Sequence, residues 1–365
     1  MSDVLDRYHR QMLLPGIGEE GQKRLLDSTA LVVGCGALGT VAANLLARAG
    51  VGHLVIVDRD FIEITNLQRQ VLFDEQDVEQ AIPKAEAACR KIAGINSQVK
   101  VTAVVEDINY SNFEKLAATG CGCDVIVDGV DNFETRYLAN DVAVKHAIPY
   151  VYGGAVGTVG ATFSVLPHTE SGESQWEVAG IATPCLRCIF EQSPPPGLNP
   201  TCDTAGVLAS TVSIIASYEV NEAVKILTGN WGAVRRTMLN IDTWSNTTHS
   251  FKVAGAYDVG DCLCCKHRKF EYLEGKFGSS TTTLCGRNAV QLSHKMSNRS
   301  IDFGEVADRL RPHGRVNVNK FMLRAEITDN GKAYELTLFT DGRAIVKGTK
   351  EPNVAKTIYA KYVGA

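Results

Sequence analysis

The sequence predicts an α/β fold, Rossmann-like, with a mostly parallel, doubly wound sheet that carries an antiparallel extension, and a small α+β C-terminal domain. Three observations predict it. First, the β-branched run Ala30 to Val33 ends on Gly34-Cys35-Gly36-Ala37-Leu38-Gly39, and a small-residue apolar helix and a second apolar run, His53 to Asp58, follow; this is a βαβ unit with a glycine loop between strand and helix. Second, strand-like and helix-like segments alternate as far as Tyr150, as a parallel sheet requires. Third, the 365 residues exceed the roughly 250 to 300 at which a single core stops growing, so two domains are expected, at 1–270 and 280–365.

In chain order, residues 22–27 read as a helix before the first strand, and Thr40 to Ala49 as the helix after the glycine loop. Asn66 to Phe73 reads as a short helix; Pro83, whose fixed φ suits a first turn, opens a helix over Lys84 to Ile95. Val99 to Glu106 predicts a third strand, Asn112 to Ala118 a polar helix, Val125 to Asp128 a fourth strand, Asp131 to His146 a helix and Tyr150 to Tyr152 a strand. From Gly153 to Leu166 the residues alternate between glycines, which predicts antiparallel strands at one sheet edge.

Ser171 to Asp203, with Pro194-Pro195-Pro196-Gly197, lacks periodicity and is expected as a structureless connection. Gly206 to Leu227 reads as one long helix, almost wholly apolar at first and stopped by Gly229, so deep burial is expected. Arg235 to Val253 reads as further strands. The tail predicts a strand near Thr283, an amphipathic helix over Asp302 to Leu310, strands at Phe321 to Thr328 and Lys332 to Phe339, and a final helix, Asn353 to Val363. Asp341-Gly342 is a hairpin signal.

With 37 basic and 41 acidic residues, a net charge of −4 and no long run of either sign, the chain lacks the electrostatic footprint of a nucleic-acid or anionic-membrane binder. Its apolar stretches are broken well before the roughly 18 residues of a spanning helix. The N-terminus has neither the apolar core of a signal peptide nor the amphipathicity of a transit peptide, so a cytoplasmic location is expected. Eleven cysteines in that setting argue for metal or catalytic thiolates over a disulfide framework.

Gly34, Gly36 and Gly39 let backbone approach a phosphate at the positive end of a helix. That suits NAD, FAD or ATP alike, and Asp58 at the end of the second strand suits a ribose hydroxyl in any of them. Asn66 and Arg69, sharing a face of the short helix, and Lys84 at the next helix start supply an amide and two cations, which fit a triphosphate better than a dinucleotide. Asp131 follows the fourth strand, where a hard oxygen suits Mg²⁺; as a helix N-cap it would be spoken for.

Cys185-x-x-Cys188 and Cys262-x-x-Cys265 offer four thiolates, the set of a closed structural Zn²⁺ site. Cys264 leaves the second pair open to more than one ligand choice. Cys202, ahead of the long helix, is either an inert loop thiol or a thiolate favoured by a helix N-terminus. Cys35 reads as a small loop residue, Cys89, Cys121 and Cys123 as core or surface thiols, and Cys285 as a second candidate thiol.

Taken in order, Arg7-Tyr8-x-Arg10-Gln11, the Gly34 loop, Asp58 through Asn66-Leu67-Gln68-Arg69-Gln70, Pro83-Lys84, Asp131-Asn132 and both Cys-x-x-Cys pairs resemble the MoeB/ThiF/HesA group of adenylating enzymes, which activate ubiquitin-like sulfur carriers and are related to eukaryotic E1 enzymes. The resemblance implies that Asp58 holds the ribose, that Asn66, Arg69 and Lys84 face the phosphates of ATP, and that Asp131 serves Mg²⁺. Arg10 would reach the triphosphate from the second subunit of a homodimer, Cys265 would be the fourth zinc ligand, and Cys202 would accept an acyl group. It also implies a partner ending in Gly-Gly and a sulfur donor. The tail resembles the small C-terminal extension of some bacterial ThiF-like proteins and lacks a rhodanese active loop. An NAD-dependent oxidoreductase leaves Asn66, Arg69, Lys84 and the thiolates unexplained; a non-catalytic nucleotide-binding scaffold leaves the intact catalytic positions unexplained.

Overall fold

The computed structural model describes residues 2–120, 122–191, 205–277, 281–284, 288–293, 302–329, 331–339 and 343–363. Cys121, Cys202, Cys285, Pro194 to Gly197 and the Asp341-Gly342 signal lie outside the described residues. The chain divides into two compact units, Met1–Gly278 and Ser279–Ala365.

The first unit is built on an eight-stranded sheet of order β3-β2-β1-β4-β5-β6-β7-β8. Its parallel part is β1 (Thr29–Val33), β2 (His53–Val57), β3 (Lys100–Val104), β4 (Val125–Asp128) and β5 (Tyr150–Val156). The extension, β6 (Val159–Val165), β7 (Thr237–Asp242) and β8 (Thr247–Lys252), is antiparallel throughout. Side chains of β1 alternate between two cores: Ala30 and Val32 join one with Leu46 and Ile92, while Leu31 and Val33 join the other with Leu138 and Val142. Burial on both faces is why these strands read as unbroken apolar runs. Helices α1 (Gly18–Asp27), α2 (Ala37–Ala49), α3 (Lys84–Ile95) and α5 (Ala209–Leu227) serve the first core, and α4 (Phe133–His146) serves the second. The doubly wound expectation holds.

Strand order reverses between β1 and β4, and crevices at such a reversal, beyond the carboxyl ends of the strands, are where open α/β sheets bind ligands. Here two turns interlock through glycine. A Cβ on Gly34 would meet Gly129 O at 2.6 Å, and one on Gly129 would meet Gly34 O at 2.3 Å.

Several expected elements are corrected. Asn66 to Phe73 is not a helix: a 3₁₀ turn, Ile64–Asn66, opened by a capping box between Glu63 and Asn66, is followed by turns. Helix α2 opens at Ala37, so Gly39 lies inside its first turn. Helix α4 opens at Phe133, with Asn132 as its cap. The polar helix is a wide-turn π-helix over Lys115–Gly120. The expected structureless stretch contains two short helices, Gln175–Val178, which Ser174 caps, and Leu186–Ile189.

The second unit is a six-stranded antiparallel sheet of order β11-β12-β13-β14-β10-β9, built from β9 (Thr281–Leu284), β10 (Ala289–Ser293), β11 (Gly314–Val318), β12 (Met322–Asp329), β13 (Lys332–Phe339) and β14 (Arg343–Lys347). Helices α6 (Phe303–Leu310) and α7 (Pro352–Tyr362) pack Val306, Leu310, Ile358 and Tyr359 onto Leu323, Leu336 and Val346. Asp302 caps α6 by accepting from the N–H groups of Gly304 and Glu305.

Candidate functional site

The site begins where β1 ends. Gly34, at φ +86°, turns the chain out of the strand while its N–H donates to Val57 O at 2.8 Å. Gly36 caps α2 with no side chain in the way, so the N–H groups of the helix's first turn face outward at its positive end. Gly39 lets that helix pass close to the loop, since a Cβ there would stand 1.9 Å from Gly34 O. The three glycines therefore form an open backbone cradle at the helix start.

Asp58, one residue past β2, braces the cradle. Its Oδ2 accepts the Cys35 N–H at 2.7 Å, and its Oδ1 accepts the Asp60 N–H at 2.7 Å. Burial outweighs the neighbouring Lys84 charge and pushes this carboxyl above its ordinary value. Lys84 is 3% exposed at the first position of α3, and its Nζ stands 3.1 Å from Asp60 Oδ2. Its position is fixed twice, because its own N–H donates to Asp60 O at 2.9 Å. Arg59 between the two acids pairs with Asp107 at 2.7 Å.

Arg69 and Asn66 do not share a helical face. Asn66 is buried, with Oδ1 accepting from Glu63 N–H at 3.0 Å, whereas the Arg69 guanidinium donates to Thr65 O at 2.9 Å. Asp131 is exposed, and the cap role falls to Asn132, whose Oδ1 accepts the Thr135 N–H at 2.9 Å. The Asp131 carboxylate is thus not consumed by the helix start. Arg10 is exposed on the short helix His9–Met12, behind Tyr8, whose hydroxyl receives Asn96 Nδ2 at 2.9 Å. No described hydrogen bond or ion pair joins Arg10 to the Asp58–Lys84 group.

The second feature is a sulfur cluster. The thiols of Cys185, Cys188, Cys262 and Cys265 all lie within 4.8 Å of one another. The closer pairs are Cys185–Cys188 at 3.8 Å, Cys185–Cys262 at 3.6 Å and Cys188–Cys265 at 3.3 Å. A tetrahedron with Zn–S bonds of about 2.3 Å has edges of about 3.8 Å, so the spacing is compatible with zinc. Cys264 is not one of these four: its sulfur accepts Asn140 Nδ2 at 3.3 Å while it also interacts with Cys185 and Asp141. Cys35 is fully buried, and burial pushes its thiol up, as suits an inert loop residue.

The family model described as "ThiF family" matches residues 8–264. The chain belongs to the ThiF family. It is 39% identical over 360 residues, covering 98% of this chain and 99% of the other, to the "Sulfur carrier protein ThiS adenylyltransferase" of Bacillus subtilis (strain 168). It is 38% identical over 261 residues, 72% of this chain and 88% of the other, to the "SAMP-activating enzyme E1" of Haloferax volcanii. The crystal structure of E. coli MccB with ATP aligns with a TM-score of 0.54 and 23% identity over 67% of this chain and 68% of that one, a likeness of fold. Together the family and these relatives bear out the reading of the motifs as those of an E1-like adenylyltransferase.

In this ThiF-family chain the structure brings together Gly34, Gly36, Gly39, Asp58 and Lys84, and separately the four cysteines. Sequence reasoning missed three participants. Asp60 joins Lys84 to the loop; only its place beside Asp58 hinted at that. Arg136, 7% exposed, ties Asp128 (Nε to Oδ2, 3.1 Å) to Val130 O (2.8 Å) and Gly153 O (2.9 Å) and so fixes the turn ahead of Asp131. Glu219 on α5 is fully buried against Gly153, and neither of its oxygens has a hydrogen-bond partner among the described residues.

Proposed function

We propose that this chain uses ATP to adenylate the C-terminal glycine of a ubiquitin-like sulfur-carrier protein. The observation that carries the reading is the glycine cradle braced by Asp58 with the buried Lys84–Asp60 pair beside it, at the point where strand order reverses. The similarity to a ThiS adenylyltransferase over 98% of this chain supports the choice of acceptor.

The phosphates of ATP lie along Gly34, Gly36 and Gly39 at the start of α2, with the ribose toward Asp58. Lys84 and Arg69 neutralise charge on the phosphate oxygens, Asn66 adds an amide, and Arg10 of a second copy completes the set in a homodimer. Asp131, exposed and free of the cap role, supplies the hard oxygen for Mg²⁺, which when bound neutralises phosphate charge. A carboxylate oxygen of the carrier attacks the α-phosphorus, the bond from that phosphorus to the bridging oxygen breaks, and pyrophosphate leaves with the electron pair. Held cations favour this because charge grows on the leaving group. The thiolate of Cys202 then attacks the acyl carbon and AMP leaves. The four-cysteine cluster holds Zn²⁺ as a structural staple, and a sulfur donor acts downstream.

Carrier-dependent exchange of labelled pyrophosphate into ATP tests the assignment. Arg69→Ala is expected to lower exchange by about 100-fold or more, the scale of one lost transition-state contact, while Cys202→Ala leaves it largely intact. Equal losses in the two variants would overturn the division of roles, and a thermal shift with NAD but not ATP would overturn the reading as a whole.

A further inference from the structure

We propose that Asn140 is a positioning residue that couples the four-cysteine staple to the nucleotide end of the sheet, so that metal held by the staple tightens binding of Mg·ATP at Asp131. The inference rests on the assignment of Asp131 to the magnesium site made above.

Helix α4 is held at two successive turns by different machinery. At its start Arg136 ties Asp128, Val130 and Gly153 together, fixing the turn that leads to Asp131. One helical turn on, about 6 Å along the axis and on the same face, stands Asn140. Its Nδ2 donates to Cys264 Sγ at 3.3 Å and its Oδ1 accepts the Leu186 N–H at 2.7 Å. Leu186 follows Cys185 in the chain and Cys264 precedes Cys265, so one buried amide grips the immediate neighbour of a thiolate in each pair.

Adjacent contacts stiffen the grip. Tyr137 donates its hydroxyl to Phe190 O at 2.7 Å, and Asp141 Oδ2 accepts the N–H groups of Tyr272 and Leu273 at 3.0 and 3.3 Å. Residues Arg136 to Val144 are all buried, so α4 shifts as a unit or not at all. Four thiolates drawn onto one ion fix Leu186 and Cys264, these fix Asn140, and the helix transmits that position to the Asp128–Asp131 turn. Without the ion the thiolates are no longer drawn together, and the two neighbours lose their fixed spacing.

The experiment is calorimetric titration of Mg·ATP into the full chain and into Asn140→Ala, with metal content measured on both. The expected result is wild-type metal content in the variant with Mg·ATP binding at least about 5-fold weaker, the lower end of coupling between sites. Metal retained with unchanged Mg·ATP affinity overturns the coupling, whereas a wild-type chain that does not bind Mg·ATP overturns the nucleotide-site assignment instead. Should the variant fail to fold or to keep its metal, hydrogen exchange of the wild-type chain before and after chelation decides. Faster exchange over residues 131–140 with α2 unchanged supports the proposal. A change confined to the cysteine segments, or one shared equally by α2, overturns it.

Discussion

The backbone N–H of Cys35 donates to Asp58 Oδ2 at 2.7 Å, so the residue past β2 shapes the loop past β1 before any ligand arrives. Asp58→Ala leaves that N–H without its acceptor. We expect ATP to bind about 10- to 100-fold more weakly to this variant, equivalent to about 1.4 to 3 kcal/mol. Asp58→Asn, which keeps one oxygen, should lose less. Calorimetric titration of ATP measures both, and equal affinity of Asp58→Ala and wild type would show that the brace is idle.

Gly36 and Gly39 should fail differently. A Cβ on Gly36 meets nothing nearer than Gly129 O at 3.7 Å, whereas one on Gly39 would fall 1.9 Å from Gly34 O. Gly36→Ala should therefore change unfolding free energy by no more than about 0.5 kcal/mol and act on ATP binding alone. Gly39→Ala should cost about 3 kcal/mol or more, because backbone must move. Denaturant titrations that rank the pair the other way would contradict the packing described.

Cys265 belongs to the four-sulfur cluster, whereas its neighbour Cys264 accepts from Asn140 Nδ2. Cys265→Ser should reduce bound zinc from about one ion per chain to near none and lower the melting temperature, since a structural site uses all four ligands. Cys264→Ser should keep its zinc. Metal analysis after gel filtration gives the answer, and zinc loss in the Cys264 variant would show that the sulfur facing Asn140 takes part in ligation.

Glu219 provides a dependence on pH. Burial, with the Asp128 charge nearby, holds its carboxyl well above the ordinary carboxylate range. The folded chain keeps a proton that the unfolded chain releases as pH rises past the ordinary value. Its contribution to stability is therefore complete in acid and is lost as pH rises toward the folded value. Glu219→Gln removes this titration at nearly constant shape. The stability of the variant relative to wild type should increase between about pH 5 and pH 8, by up to about 1.4 kcal/mol for each pH unit below the folded value. A difference that does not vary with pH would mean that Glu219 does not titrate in this way.

The parallel half of the sheet was legible because its signals are local: an apolar run, glycines, an apolar helix and an acid at the next strand end. Both Cys-x-x-Cys pairs were legible for the same reason. Asn66 to Phe73 was misread because its polar residues suit a helix, whereas the helical turn lies just before it, over Ile64–Asn66, and stops there. The pattern of α4 carried no stripe to read, since residues Arg136 to Val144 are buried all round. In the tail, β10, β11 and β14 were missed; each has five residues, β10 and β14 pair with each other across a long stretch of chain, Val290 opposite Val346, and β11 is a mostly exposed edge strand with no apolar alternation. Asp60, Arg136 and Asn140 act through partners that only the fold brings near, so no spacing announces them.

The interlock of Gly34, Gly39 and Gly129 is made of main chain, and no side-chain chemistry enters it. Its shape is inherited from the geometry of the two strands, so substitution there can break the contact but cannot retune it. Any tuning of a ligand held at this loop therefore falls to side chains beside it such as Lys84, because a change at Asp58 would also remove the acceptor of the Cys35 N–H.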